Sequence, residues 1–177
     1  NLGLLYMTQN KYNDAQKYFL QLYDKNKTGK TANLLGNIYE QQKNYKSAEQ
    51  YYNEALSLGE KNAVYNIAML YQAQGNYEQA QKYLENLTQN SKNPDLYYNL
   101  ALSYDMGKNK TEAEKYYLKT IELASGNNDV SLKAMNNLGL LYYEQGKKDM
   151  AVKYLKSAVD GGYYSAAYDL GLIYSQL

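Results

Sequence analysis

The sequence contains no cysteine and no histidine. Their absence excludes disulfide bonds, thiolate nucleophiles and imidazole bases, and it removes the ligands of nearly every zinc site. The chain therefore lacks the usual side chains of catalysis, and we expect a protein that is not an enzyme and that holds no metal or cofactor. A chain without cysteine fits the cytosol and the periplasm equally well, so the compartment stays open.

An excess of charge of either sign is also missing. The 19 basic and 18 acidic residues leave a formal net charge of +1, and no block of like charge runs along the chain. Nothing in this pattern would follow a phosphate backbone, so we do not expect nucleic acid as a partner. The sequence has no run of eighteen or more apolar residues, so we do not expect insertion into a membrane.

What the sequence does contain is a repeat. A motif of an apolar residue, a small residue, two variable residues and a tyrosine occurs six times, with its tyrosines separated by 33, 32, 33, 38 and 32 residues. The six are Tyr6, Tyr39, Tyr71, Tyr104, Tyr142 and Tyr174. Nine residues after each of the first five stands an alanine: Ala15, Ala48, Ala80, Ala113 and Ala151. This constant interval predicts helix pairs in which small residues let two backbones approach, with Gly36 facing Ala48 as one example.

Turn-forming residues separate the two halves of each repeat, which we call the first and second helix. The stretches are 9–11, 42–44, 74–76, 107–109 and 145–147, and in each a Gly or Asn can take the left-handed conformation that ends a helix. A connection of a few residues makes the two helices antiparallel. The tyrosines that follow each alanine by three or four residues are then expected in the core, because a repeat must stack on its neighbours to bury its apolar face.

This order of motifs resembles the tetratricopeptide repeat across essentially all 177 residues. The resemblance implies an all-α fold, a right-handed superhelix or solenoid of antiparallel helix pairs, with five full repeats and one extra half repeat. The sequence departs from the family in lacking the tryptophan near the start of the first helix, and Pro94 is its only proline. The linkers also resemble Sel-one-like repeats, for example from Ala151 through Gly162 to Tyr174, but the nine-residue interval favours the short tetratricopeptide turn.

We expect residues 1–177 to form a single solenoid domain. The chain opens inside an expected first helix and stops without a partner for the last one, so we expect it to be a piece of a longer repeat protein. The longest interval places extra residues around 125–129, with Asp129 as the expected N-cap of the next helix. This insertion either leaves the array unchanged or alters its pitch locally.

In the tetratricopeptide family the first helices line a concave groove, so the resemblance implies a peptide-binding site there. Asparagine precedes the small residue by two positions in four of six repeats, at Asn1, Asn66, Asn99 and Asn137. A carboxamide can bond the N–H and C=O groups of an extended peptide together, so these residues are candidates for a ladder that binds a backbone. The complete set of candidate groove residues is Asn33, Tyr65, Asn66, Met69, Tyr98, Asn99, Leu102, Asn136, Asn137, Leu140 and Tyr168.

Two functions of different kinds follow from this reading. The first is a protein-protein interaction scaffold that binds an extended or helical peptide segment in its groove. The second is a structural module that forms homo-oligomers through exposed solenoid ends. The lysines near the groove, Lys30 and Lys133, are too far apart in the array for a clamp on a C-terminal carboxylate, and the mixed charge favours a neutral or weakly basic peptide.

Overall fold

The computed structural model describes residues 2–175, and all regular structure in this range is α-helical. Eleven helices occur in it: α1 (Leu2–Thr8), α2 (Tyr12–Lys25), α3 (Gly29–Gln41), α4 (Tyr45–Ser57), α5 (Ala63–Ala73), α6 (Tyr77–Thr88), α7 (Pro94–Met106), α8 (Lys110–Leu123), α9 (Asp129–Glu144), α10 (Lys148–Asp160) and α11 (Ala166–Tyr174). None of these helices is long and apolar enough to span a membrane. The odd-numbered helices are the first helices of the repeats, and the even-numbered ones are the second helices.

The turns inside the helix pairs confirm the predicted positions. Each has three residues, and its middle residue has a positive φ whatever its identity: Asn10 (57°), Lys43 (58°), Gly75 (75°), Lys108 (64°) and Gly146 (74°). We expected Gly or Asn in this role, and two of the five turns instead use lysine. In the fourth turn Gly107 has φ −75°, and Lys108 beside it takes the left-handed conformation. The geometry of the turn, and not the preference of the residue, decides which position is left-handed.

The described residues form two compact units, 2–83 and 84–175, with the boundary inside α6. In the first unit, α1 packs on α2 and α3 packs on α4, while α2 contacts α3 and α4 contacts α5. Its core consists of small and large residues: Ala15, Phe19, Tyr23, Ala32, Leu35, Ile38, Ala48, Tyr52, Ala55, Ala63, Ile67 and Leu70. Alternation of small and large residues along the helices therefore fills this core, as the spacing predicted.

The second unit repeats this arrangement. Here α7 packs on α8 and α9 packs on α10, α8 contacts α9, and α10 contacts α11. The first helices α7 and α9 also touch each other directly. The core of this unit includes Ala101, Ala113, Tyr117, Ala134, Leu138, Leu141, Tyr142, Ala151, Leu155 and Ala158. Whether the two units act as the single domain expected from the sequence stays a prediction.

Stacked tyrosines recur inside the helix pairs. The ring of the motif tyrosine lies parallel to a tyrosine of the second helix in four repeats, with centroids 5.3–5.7 Å apart. The pairs are Tyr39 with Tyr51, Tyr71 with Tyr83, Tyr104 with Tyr116, and Tyr142 with Tyr154. Aromatic stacking adds to the burial of apolar area in such pairs. The periodic tyrosines are therefore part of the packing between helices.

Two local predictions were wrong. The N-cap of α9 is Asn128, whose Oδ1 accepts a hydrogen bond from the Ser131 amide at 2.9 Å, and Asp129 is the first helical residue. Gly36 packs against the ring of Tyr52: an added Cβ would lie 2.4 Å from Tyr52 Cδ1. The nearest neighbour of this small residue is thus a large one.

Candidate functional site

The candidate residues lie on one face of each first helix. Two positions four residues apart, such as Tyr65 and Met69 in α5, point to the same side because a helix turns once in 3.6 residues. The corresponding pairs in unit 2 are Tyr98 with Leu102, Asn136 with Leu140, and Tyr168 with Leu172. All the candidates are at least partly exposed except Asn136, which is 9 % exposed. Asn1, the first residue of the expected ladder, lies outside the described residues.

In unit 1 the structure joins two candidates from successive repeats. The Asn66 Nδ2 group on α5 donates a hydrogen bond of 2.8 Å to Oδ1 of Asn33 on α3. Both side chains are half-buried, as are Tyr65 and Met69 on the same face of α5. A carboxamide has two N–H groups and an oxygen with two lone pairs, so this bond uses only part of the capacity of each asparagine. The pair thus presents both donors and acceptors on the surface of unit 1.

In unit 2 three candidates form a hydrogen-bonded chain across α7 and α9. The Asn137 Nδ2 group donates to the Tyr98 hydroxyl at 3.2 Å, and the Asn136 Nδ2 group donates to Asn137 Oδ1 at 3.1 Å. Burial raises the pKa of the Tyr98 hydroxyl, so this group is neutral and protonated near pH 7. The chain ends at the Asn136 Oδ1 atom, which is buried and has no hydrogen-bond partner among the described residues.

The remaining candidate residues do not repeat the contacts described above. Asn99 Nδ2 donates to the backbone oxygen of Asp95, one turn earlier in α7, at 2.8 Å. Leu102 and Leu140 are half-buried, and they pack against the core of unit 2. Tyr168 on α11 is 74 % exposed. The asparagines of the expected ladder therefore have different partners in different repeats, which the sequence did not indicate.

Charge is distributed unevenly between the helices of unit 2. Its first helices carry five acidic residues and one lysine: Asp95, Asp105, Asp129, Glu144, Asp169 and Lys133. Two of the acids are in ion pairs, Asp129 with Lys133 at 2.6 Å and Glu144 with Lys110 of α8 at 2.5 Å. The first helices of unit 1 carry only one lysine and one glutamate in their described parts. The first helices of unit 2 are therefore acidic, although the net charge of the whole chain is close to zero.

Most of the motif tyrosines connect successive repeats, which accounts for their recurrence. Within unit 1 the Tyr71 hydroxyl donates to Glu49 Oε1 at 2.5 Å, and this bond, with burial, raises the pKa of Tyr71 to about 12. Within unit 2 the Tyr142 hydroxyl donates to Glu114 Oε1 at 2.9 Å, and Tyr104 donates to Glu85. Burial first, then these carboxylates, raise the pKa of both hydroxyls. Through these bonds the tyrosines hold one repeat to the next.

A cleft lined by residues of α7 and α8 was not predicted. It has a volume of about 320 Å³ beside the rings of Tyr97 and Tyr116, and its other lining residues are Lys115, Leu118, Lys119 and Glu122. Tyr97 is fixed there, because its hydroxyl lies 3.0 Å from the Thr88 carbonyl oxygen. Other first helices carry Ala32 or Val64 at the position of Tyr97, so no periodic signal marks it.

Comparisons with known proteins define the family. Three models of the tetratricopeptide repeat match residues 1–63, 62–93 and 92–161, and together they cover most of the chain. The chain therefore belongs to the tetratricopeptide repeat family. No curated protein matches it in sequence.

Solved structures show the same fold at low sequence identity. MamA from Desulfovibrio magneticus RS-1 is 16 % identical, with a TM-score of 0.79 over 90 % of each chain. The pilF protein of Pseudomonas aeruginosa is 21 % identical, with a TM-score of 0.76 over 91 % of this chain and 73 % of that one. YrrB, described as a tetratricopeptide protein with an unusual peptide-binding site, is 21 % identical, with a TM-score of 0.68 over 89 % of this chain and 82 % of that one. The expected all-α solenoid of helix pairs is thus confirmed.

Proposed function

We propose that this protein is a non-catalytic scaffold that binds an extended or helical segment of another protein along the exposed face of its first helices. One observation carries the proposal: first helices in each unit present an aromatic or amide side chain and an apolar one, one turn apart, such as Tyr65 with Met69 in unit 1 and Tyr98 with Leu102 in unit 2. These pairs are half-buried, so they are held in place by packing and are still accessible.

The chemistry of this face suits a peptide. Apolar and aromatic side chains provide contact area, and the amides of Asn33 and Asn66 have hydrogen-bonding capacity beyond the bond between them. Binding of a segment over several helices adds many modest contacts, of which a few aromatic ones carry most of the affinity. The likeness to YrrB, a protein described by its peptide-binding site, supports the same use of the fold here.

A matched pair of variants tests the proposal. Peptides selected on this chain from a displayed library of random decapeptides should bind several-fold more weakly to a variant with Asn66→Ala and Asn99→Ala. The control carries Asn53→Ala and Asn86→Ala, two exposed asparagines of second helices, and it should bind as the natural chain does. Circular dichroism at 222 nm verifies that both variants fold. Equal affinities for all three proteins, or a library from which nothing is selected, would refute a first-helix site.

Self-association is a second candidate function. Large apolar side chains are exposed on the outermost described helices: Leu2 (49 %) and Leu5 (51 %) on α1, and Tyr168 (74 %) and Tyr174 (52 %) on α11. Head-to-tail contact between copies would cover both surfaces and build an open chain or a ring. Sedimentation velocity over a hundredfold range of concentration separates the two functions, because a scaffold stays monomeric and a self-assembling module forms a concentration-dependent series.

A further inference from the structure

The cleft beside Tyr97 and Tyr116, which we call the Tyr97 cleft, exists because one position departs from the repeat. Seven residues before the motif tyrosine, α3 and α11 carry alanine, α5 carries valine and α9 carries methionine, whereas α7 carries Tyr97. The rings of Tyr97 and Tyr116 lie 6.4 Å apart between centroids and are tilted by 40°. Tyr116 occupies a position that is tyrosine in all five second helices, and it stacks on Tyr104. Tyr97 thus adds a second ring beside one that every repeat has.

The hydroxyl of Tyr97 fixes the position of its ring. It lies 3.0 Å from the carbonyl oxygen of Thr88 and 3.1 Å from that of Ser91, so the polar end of the side chain is occupied. The cleft therefore meets the apolar body of the side chain. The half-buried ring of Tyr116 and the side chain of Leu118, which is 37 % exposed, complete an apolar lining around about 320 Å³. A fixed apolar cleft at the lower end of the size range of ligand sites suits one large apolar side chain.

Two lysines give this cleft a charged edge. Lys115 and Lys119 lie one turn apart on α8 and line the cleft together with one acid, Glu122, so an acidic ligand is favoured over a basic one. Among the described residues each lysine pairs with one carboxylate, Lys115 with Glu112 at 2.7 Å and Lys119 with Glu122 at 2.9 Å. Both pairs are largely exposed and contribute little. Since an ammonium group has three N–H donors, both lysines can bind a further carboxylate that a ligand brings.

We propose that the Tyr97 cleft is a second protein-binding site, which takes a large apolar or aromatic side chain of a partner segment with an acidic residue beside it. The apolar side chain packs against the two tyrosine rings and Leu118, and the carboxylate pairs with Lys115 or Lys119. A cavity of about 470 Å³ borders the same two rings and extends to Gln89, so the segment has room to continue beyond the cleft. None of these residues belongs to the candidate groove residues of the first helices, so the inference goes beyond the proposed function and does not depend on it.

Short synthetic peptides test the inference on the full chain. We expect acetyl-Glu-Phe-Glu-amide, titrated into the isotope-labelled protein, to shift the NMR signals of Tyr97, Leu118 and Lys119 in a saturable way. The basic counterpart acetyl-Lys-Phe-Lys-amide should bind about tenfold more weakly, because each exposed charge pair contributes modestly. The peptide acetyl-Glu-Ala-Glu-amide keeps the charges and lacks the ring, and it should leave these signals unshifted.

Three variants separate the parts of the site. Tyr97→Ala should abolish binding of the acidic aromatic peptide, and its fold should persist because alanine occupies the equivalent position in α3 and α11, which circular dichroism at 222 nm verifies. Lys119→Gln keeps the rings and should reduce the preference for the acidic over the basic peptide several-fold. Tyr168→Ala removes an exposed tyrosine of α11 and should bind the acidic peptide within twofold of the natural chain.

Three results would overturn the inference. The first is the absence of shifts at about 10 mM of the acidic aromatic peptide, a concentration that detects even millimolar affinity. The second is equal affinity for the acidic and the basic peptide, and the third is undiminished binding by Tyr97→Ala. Each of them would leave the proposed function of the first helices standing, because the two sites share no residue.

Discussion

Replacement of Gly36 by alanine should destabilise the protein, although alanine is the better helix former. Gly36 lies in the middle of α3, where alanine gains up to about 1 kcal/mol in helix propensity. The added Cβ would lie 2.4 and 2.5 Å from Cδ1 and Cε1 of Tyr52, against about 3.5–4.0 Å for an ordinary contact between carbon atoms. The ring or the helix must therefore move by about 1 Å.

The environment of Tyr52 makes this movement costly. The side chain is fully buried, and its hydroxyl lies 2.7 Å from Asn37 Oδ1 and 2.5 Å from Glu40 Oε2. The ring is therefore fixed by packing and by the hydrogen bonds of its hydroxyl. Overpacking of this kind costs about 1–3 kcal/mol. Ala101 occupies the equivalent position in α7 and is fully buried, so the loss at Gly36 depends on the contact with Tyr52 and not on the position in the repeat. After the gain in propensity, we expect a net loss of about 1–2 kcal/mol.

Urea unfolding followed by circular dichroism at 222 nm measures this effect. Gly171→Ala is the matched control, because Gly171 also lies inside a first helix, is exposed, and has no described atom within 4 Å of an added Cβ. We expect a lower unfolding midpoint for Gly36→Ala and an equal or higher one for Gly171→Ala. If Gly36→Ala were as stable as the natural chain, close contact of glycine with a large residue would not be what fixes the spacing of the helix pair.

Three further perturbations test other parts of the fold. Lys108→Gly should raise the thermal midpoint, because glycine takes a positive φ without strain, and the gain in free energy of unfolding is about 1 kcal/mol. Lys147→Gly is the control, because Lys147 has φ −84°, and it should not raise the midpoint. Asn128→Ala should lower the free energy of unfolding by about 1 kcal/mol through loss of the N-cap of α9, and Asp129→Ala should lower it by only a few tenths of a kcal/mol. Equal losses for the two variants in urea unfolding would contradict the assignment of Asn128 as the N-cap. The raised pKa of Tyr71 gives stability that is complete below pH 10 and is lost as the pH rises towards about 12, because the unfolded tyrosine ionises first. Tyr71→Phe should flatten the fall of the urea midpoint over that interval, and an unchanged fall would exclude this hydroxyl as a cause.

The positions of the helices follow from local features of the sequence. The nine-residue interval between tyrosine and alanine, with Gly or Asn between them, fixes where each first helix ends and each second helix begins, and all five turns lie where expected. The N-cap of α9 could not be read in the same way. Asn128 and Asp129 are both good capping residues, and only the actual course of the backbone selects between two neighbours.

The candidate site was predictable as a face and not as a set of contacts. A spacing of four residues puts Tyr98 and Leu102 on one side of a helix without knowledge of the fold. The bond from Asn137 to the Tyr98 hydroxyl joins residues 39 positions apart, and it depends on the distance between two packed helices. The burial of Asn136 depends on the same packing, since the equivalent residue in the last repeat, Tyr168, is 74 % exposed.

The fold class, the repeat boundaries and the periodic part of the core follow from the amino-acid sequence alone, because they depend on periodicity and on the sizes of residues at fixed intervals. The tertiary structure decided which residue caps α9, that Gly36 faces Tyr52, and that the motif tyrosines bond to carboxylates of the preceding repeat. It also decided which carboxylates of the first helices form ion pairs, as those of Asp129 and Glu144 do. Such features depend on distances between helices to within about an ångström, and a pattern along one chain contains no such distances.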